Sequence, residues 1–290
     1  MSDVGAVLAP ACEADRPSLE AYLAERSDTC MLLRSNLRAV GLGWHAPDGA
    51  MYEAQYMLAR RAHALVGVVA HAWNGNVVVE ADEQVGELAV AAVRNSGRRV
   101  DGLIGAFDQV ARARAALGMA AATPRLDSDE ILMALSLDQL AIPGSLGDGT
   151  TVGRRAVAGD RDRLVPWRAA YLVETGQHAP GPIAEARAAS AIDHALAERR
   201  IWVAERDGAV VAMCAHNAVL PDAVQVGGVF TPAALRGRGH ARAVVAASLL
   251  DARASGARRA ILFTPRPDAV AAYRAIGFAA IGRYAIVMFA

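Results

Sequence analysis

The sequence predicts an α/β (α+β) protein of two similarly ordered halves, each a mixed, mostly antiparallel sheet flanked by helices. Three observations carry this reading. Strand-like and helix-like periodicities alternate along the chain, a turn-rich stretch interrupts them near the middle, and the element order before that stretch largely recurs after it. At roughly 100–200 residues per domain, 290 residues leave room for two domains. The break is Pro143-Gly144-Ser145-Leu146-Gly147-Asp148-Gly149. It is read as a linker, 143–151, between domains 1–142 and 152–290.

In the first half, Pro17–Ala24 and Thr29–Val40 read as helices. Met51–Leu58 and Leu65–Trp73 read as strands, and Asn74-Gly75 marks a hairpin into Val77–Glu80. Val85–Arg94 is a helix, Val100–Ile104 a strand, Gln109–Leu117 a helix, and Ile131–Leu137 a last strand. In the second half, Val152–Val157 is a strand, and Asp160 is a candidate cap for a helix through Trp167, Tyr171 and Val173. Pro182–Ala197 is a second helix. Ile201–Arg206 and Ala209–Ala215 are strands joined by Asp207-Gly208, and Ala223–Thr231 follows as another strand. In Gly239–Ser255, residues Ala241, Val244, Val245, Ser248, Leu249 and Ala252 make one helical face, with Gly256 as a closing residue. Ala260–Phe263, Pro267–Ile276 and Ile281–Phe289 complete the half as strand, helix and strand.

Composition narrows the function classes. Thirty basic residues, all Arg, balance thirty acidic ones, so no basic excess points to nucleic acid or an acidic membrane surface. Three cysteines (Cys12, Cys30, Cys214) without a CxxC pair suggest neither a disulfide framework nor a zinc site. The N-terminus lacks a basic region of the signal-peptide kind, and the apolar run Ala64–Ala72 is too short to cross a bilayer. A cytoplasmic setting with no metal is the expectation.

One segment carries chemistry: Val229-Phe230-Thr231-Pro232-Ala233-Ala234-Leu235-Arg236-Gly237-Arg238-Gly239-His240-Ala241. A strand ends, two glycines let the backbone turn closely, and an amphipathic helix begins. The free amides and dipole of a helix start favour a phosphate, and Arg236 and Arg238 add permanent charge. Downstream, Tyr273-Arg274-Ala275-Ile276-Gly277-Phe278 ends a short helix.

Together these two motifs resemble the acyl-CoA pyrophosphate loop and the later Tyr-containing helix of the GNAT acetyltransferase superfamily, over about residues 152–290. The first half would then be a degenerate repeat. The resemblance implies acetyl-CoA as co-substrate. The backbone of Val229, Phe230 and Thr231 would hold the pantetheine arm and polarise the thioester carbonyl. The loop from Arg236 through Gly237, Arg238, Gly239 and His240 to Ala241 would hold the pyrophosphate. Tyr273 would protonate the departing thiolate. Where the family commonly places an Asn at the start of the later helix, this chain has Asp268, a candidate cap and cofactor contact that cannot donate a hydrogen bond.

The general base is not fixed by these motifs. Gln225 stands where the family often places a Glu. Glu174, near the end of the first helix, is the candidate taken forward, with His178, His194 and His216 as others. His216, Trp167, Tyr171, Trp202, Tyr284 and Cys214 read better as core residues. In the first half, Glu80, Asp82, Glu83 and Glu87 crowd the position equivalent to the basic loop and oppose an anion. That half is expected to bind no acyl-CoA, and instead to cover a sheet edge, shape the acceptor pocket (Arg34, Asn36, Tyr52 and Tyr56 are candidates) or mediate a homodimer. The expected function is an N-acetyltransferase for an amine of a small molecule or peptide. The alternative is a catalytically silent acyl-CoA sensor or scaffold. A Walker-type nucleotide loop needs a Lys, and the chain has none.

Overall fold

The computed structural model describes residues 5–45 and 49–289. The elements are β1 (Val7–Pro10), α1 (Arg16–Glu25), α2 (Ser27–Val40), β2 (Ala54–Arg61), β3 (Ala64–Ala72), β4 (Asn76–Ala81), α3 (Val85–Ser96), β5 (Gly102–Ala106), α4 (Phe107–Ala116) and β6 (Leu126–Ser136). They continue with α5 (Gly144–Gly147), β7 (Val152–Arg155), α6 (Arg161–Glu174), α7 (Pro182–Ala197), β8 (Ile201–Arg206), β9 (Ala209–Val219) and β10 (Ala223–Phe230). The last are α8 (His240–Ala254), β11 (Arg259–Thr264), α9 (Pro267–Arg274) and β12 (Ala279–Met288).

The chain divides into two compact units, Met1–Glu130 with Gly282–Ala290, and Ile131–Ile281. These bounds differ from the expected division into 1–142 and 152–290. The last strand of each half is the reason. β12 pairs antiparallel with β5 in the first unit, while Ile131–Ser136 of β6 pairs antiparallel with β11 in the second. Backbone pairing, which local periodicity does not report, decides where these two strands belong. The expected linker also holds structure: α5 lies there, and Leu146 packs against the core of the second unit.

In the first unit, β1 through β5 follow in order and β12 closes the series; β4 and β5 are parallel, the other pairs antiparallel. α3 and α4 cover one face over Val69, Val77, Val79 and Leu103. In the second unit the order is β6, β11, β10, β9, β8, β7, again with one parallel pair, β10 with β11. α8 and α9 supply Val244, Val245, Leu249 and Tyr273 to one core, while Leu164 of α6 and Ile192 of α7 pack with Val203, Met213 and Phe230 in a second.

Local details repeat between the units. The Val157 amide donates to Asp160 Oδ2 (2.8 Å), and the Cys12 amide to Asp15 Oδ2 (2.8 Å). Each carboxylate is also held by a strand arginine, Arg154 or Arg60. Asp160 therefore reaches back over its own short turn and does not cap α6, the role expected of it. The first hairpin of each sheet turns through two left-handed residues, Ala62 and His63 (φ 48° and 72°) and Asp207 and Gly208 (φ 51° and 74°). Asp-Gly announces that turn in sequence; Ala-His does not, which is why the predicted first strand, Met51–Leu58, starts and stops early against the observed Ala54–Arg61. The short edge strand β1 has too few residues to show a period.

Candidate functional site

The site begins where two parallel strands part. β10 pairs with β11 only over Ala223–Gln225, against Arg259–Ile261. β11 continues to Thr264 beside β6, but β10 bends away through two irregularities, one at Gln225/Val226 and one between Gly227 and Phe230. Gly228 sits in the second with φ +57°, a backbone state that glycine adopts without strain. Past Gln225, the β11-facing edge of β10 is left without a strand partner among the described residues. Such an edge is a row of unused donors and acceptors.

The loop follows directly. Ala233–Leu235 make one tight turn, Gly237 and Gly239 are left-handed (φ +76° and +82°), and α8 starts at His240. A Cβ on Gly237 would meet nothing within 4 Å, so the backbone there is open to a ligand. Among the described residues, no acceptor takes the amides of Arg238 through Arg242; the first bond of this turn runs from Ala243 to the Gly239 carbonyl. Arg238 is exposed with no acidic partner among the described residues. Arg242 folds back so that its Nη2 stands 3.1 Å from where a Gly239 Cβ would lie. The local potential is registered by His240, whose pKa is lowered by burial and then by Arg206 and Arg238. Arg242 and Arg206 escape a reading of the motif; Arg242 is signalled only by its spacing of four from Arg238 on the helix.

Val229 and Phe230 lie on the diverging end of β10 and Thr231 follows it directly; the buried Thr231 hydroxyl has no hydrogen-bond partner. This orphan hydroxyl, the open Gly237 and the unbonded helix amides all suit a phosphate-bearing ligand. Arg236 behaves differently from expectation. Its Nε donates to the Thr231 carbonyl (2.9 Å) and its Nη2 to the Glu174 carboxylate (2.7 and 2.9 Å). The fold thus makes the candidate base Glu174 and the candidate phosphate anchor Arg236 partners of each other. Asp268 is not a cap: Arg266 occupies that position, no side chain caps α9, and Asp268 pairs with Arg266 (2.8 Å), which lowers its pKa.

Tyr273 is buried in the core cluster that holds Val226 and Leu262, residues of the two diverging strands, and its ring meets Phe278 edge-on at 6.0 Å. Burial pushes its pKa up, with Tyr171 and Cys214 acting in the same sense. A phenol so held stays protonated and acts as a donor. The other candidates lie in cores or at surfaces. His216 stacks on Trp202 (4.1 Å), meets Ser248 Oγ (3.2 Å), and burial lowers its pKa to about 3. Cys214 is a buried thiol pushed up to about 12. His194 pairs with Glu198 on the surface of α7. Gln225 is buried on β10.

The equivalent place in the first unit is built differently. β4 and β5 remain paired through Val79 and Gly105, and only Asp82, Glu83 and Gln84 separate β4 from α3. The amide of Ala81 is already taken by Gln109 Oε1 (2.9 Å), and Gln109 also reaches Glu80. Glu80 is buried, with its pKa raised by desolvation, and receives the Thr29 hydroxyl (2.5 Å). Asp82 and Glu83 pair with Arg26 and Arg61 (2.6 Å each). Tyr284 is buried in this unit; Tyr56 is also buried, its hydroxyl without a partner, and Tyr52 packs on Trp73 at 5.6 Å. Among the described residues, no cluster of His, Cys, Asp and Glu is arranged to hold a metal, and no helix is long and apolar enough to cross a membrane.

Residues 162–278 match the acetyltransferase (GNAT) family. None of the curated proteins compared with the chain matches it significantly. Among solved structures, a Drosophila protein superposes with a TM-score of 0.66 at 13% identity, over 98% of this chain and 99% of that one. A GCN5-related N-acetyltransferase from Sphaerobacter thermophilus gives 0.55 at 16% identity, over 97% and 94%. A tandem GNAT protein from the clavulanic acid biosynthesis pathway gives 0.54 at 14% identity, over 97% of each chain. Residues 162–278 are a domain of the GNAT acetyltransferase family, and the chain as a whole has the tandem GNAT fold.

Proposed function

We propose that this protein is an acetyl-CoA-dependent N-acetyltransferase with a single transfer site, in its second unit, acting on an amine of a small molecule or peptide. The observation that carries the reading is the parting of β10 and β11 after Gln225, immediately upstream of the glycine loop. The unpaired edge of Val226–Phe230 is a strand-like partner for the amide-rich pantetheine arm. The amides from Arg238 to Arg242, with the Arg238 and Arg242 guanidiniums, receive the pyrophosphate at the start of α8. An amide of the diverging edge near Val229 or Phe230 polarises the thioester carbonyl. The neutral amine attacks the carbonyl; as the C–S bond breaks, Tyr273, kept protonated by burial, gives its proton to the departing thiolate and regains one from the proton that the new amide nitrogen sheds. Glu174 fixes Arg236 across the mouth, so that α6 and the loop are tied at one end. The rest of the rate comes from holding amine and thioester at bonding distance.

One observation favours a second reading, a silent acyl-CoA sensor. Glu174 engages Arg236, and β10 carries Gln225 where the family often has a carboxylate, so no unpaired carboxylate is assigned to deprotonate an amine. Incubation with acetyl-CoA and a panel of amines, following free CoA thiol, separates the two. Acceptor-dependent release is expected, slowed about 100-fold by Tyr273→Phe, which removes a general acid. Saturable binding without release on any acceptor would select the sensor.

A further inference from the structure

Arg168, in the middle of α6, stands out among the basic side chains of the second unit. Its Nη1 is the atom nearest to where a Gly228 side chain would begin, at 3.1 Å, so the guanidinium lies against the bulge of β10. Its other marked contact is with the ring of Tyr171, 4.8 Å from the guanidinium carbon. No carboxylate and no carbonyl among the described residues receives it: Glu174 is engaged with Arg236, Asp160 with Arg154, and Asp162 is exposed on the first turn of α6. Burial lowers the pKa of Arg168, and only the Tyr171 phenol acts in the opposite sense. Arg168 is half-buried, and a guanidinium drawn partly out of water without a counter-charge gives up hydration for which no protein acceptor compensates. Gly228 makes the room: with φ +57° and no side chain, it lets the head come down onto the stretch of β10 that has left β11.

Resting on the acetyltransferase reading, we infer that Arg168 is the specificity determinant of the acceptor site, and that the acceptor is an amine bearing a carboxylate, such as an amino acid or a peptide end. The fork of a guanidinium matches a carboxylate through two parallel hydrogen bonds. One half-buried positive charge is balanced by one negative charge; a dianionic phosphate would leave a surplus in the same place. With the carboxylate on Arg168, beside Gly228, the amine of the same molecule is held next to the diverging edge of β10, where the thioester carbonyl is to be polarised.

The test uses the intact protein and matched acceptors: amino acids, their carboxamides, and aminoalkyl phosphates. Wild type is expected to use the acids with KM about 10- to 100-fold below that of the amides, the range of a charge-assisted hydrogen-bonded pair. Arg168→Met should remove that preference by raising KM for the acids, leave the amides and acetyl-CoA affinity unchanged, and hold or raise the Tm of the ligand-free protein. Arg168→Lys should restore part of the preference. Equal use of acids and amides, equal slowing of both by Arg168→Met, or a preference for the phosphates would overturn the inference. A drop in ligand-free Tm in Arg168→Met together with unchanged acid preference would make the residue structural. A binding arm is independent of turnover. N-acetylglycine, but not N-acetylglycinamide, should bind the CoA-loaded protein, and Arg168→Met should abolish this; no such difference overturns the inference. Binding in that arm without thiol release on any acceptor would retain the carboxylate site and reject the enzyme.

Discussion

Glu174 and Arg236 carry separate roles in a reading of the motifs, a base and a phosphate anchor, and the fold turns them into one ion pair at the mouth of the loop. The reason is distance in sequence: they stand 62 positions apart, and only the docking of α6 beside the loop brings them together. The pair is half-exposed, so its worth lies in holding α6 to the loop rather than in stability. Buried ionisable residues leave a clearer signature. His216, lowered to about 3, and His71, lowered to about 4, are neutral in the folded chain. As pH falls below about 6.5, the unfolded chain takes up protons that the native chain refuses. Each histidine then costs about 1.4 kcal/mol of stability per pH unit until its own folded value is reached. Glu130, raised by burial to about 7, acts with the opposite sign between about 4.5 and 7, where the native chain keeps the proton. Unfolding of His216→Gln, followed by denaturant titration from pH 6.5 down to 4, should show a slope flatter than wild type by about 1.4 kcal/mol per unit. An unchanged slope would mean that His216 is protonated in the native state.

At the scale of elements, the helix and strand assignments of the second unit were legible from periodicity and turn chemistry. Pro182–Ala197 and Ile201–Arg206 match the observed bounds, and Asp207-Gly208 forms the hairpin it announces. The glycine loop was legible because glycine and arginine have few other reasons to alternate between a strand and an amphipathic helix. The parting of β10 from β11 was not, since it depends on bulges whose only local trace is Gly227-Gly228. Arg168 was hidden for the same reason; nothing in Trp167-Arg168-Ala169 distinguishes a guanidinium packed against a strand bulge from a solvated one. The turn after α9 is a second place where packing acts through one glycine. Gly277 has φ +104°, and a Cβ there would lie 2.9 Å from both the Gln139 carbonyl oxygen and Leu135 Cδ1. Gly277→Ala should therefore lose about 1–3 kcal/mol in urea unfolding, through the left-handed backbone and a clash with main chain that cannot move aside. A loss below about 0.5 kcal/mol, the range of neutral surface changes, would show that the segment after α9 relaxes freely.

At the scale of the molecule, the tandem order was visible as repeated elements, whereas the assignment of β6 and β12 to units was not. The repeat is preserved in its scaffolding: the Asp15 and Asp160 turns, the left-handed hairpins, and one parallel pair in each sheet. It differs where a ligand would enter. In the first unit, β4 and β5 pair through Val79, Gln109 takes the Ala81 amide, and three residues connect β4 to α3. In the second, the strands part and, among the described residues, no acceptor takes the loop amides. Because β12 completes the sheet of the first unit, a fragment ending at the expected boundary would lack that strand, so the question of one site or two belongs to the intact chain. Calorimetric titration of the whole protein with acetyl-CoA answers it most directly. A single saturable site per chain, lost when Gly237 and Gly239 are both replaced by Val, is the predicted result. Two equivalents bound, or affinity unchanged in that double variant, would contradict the account.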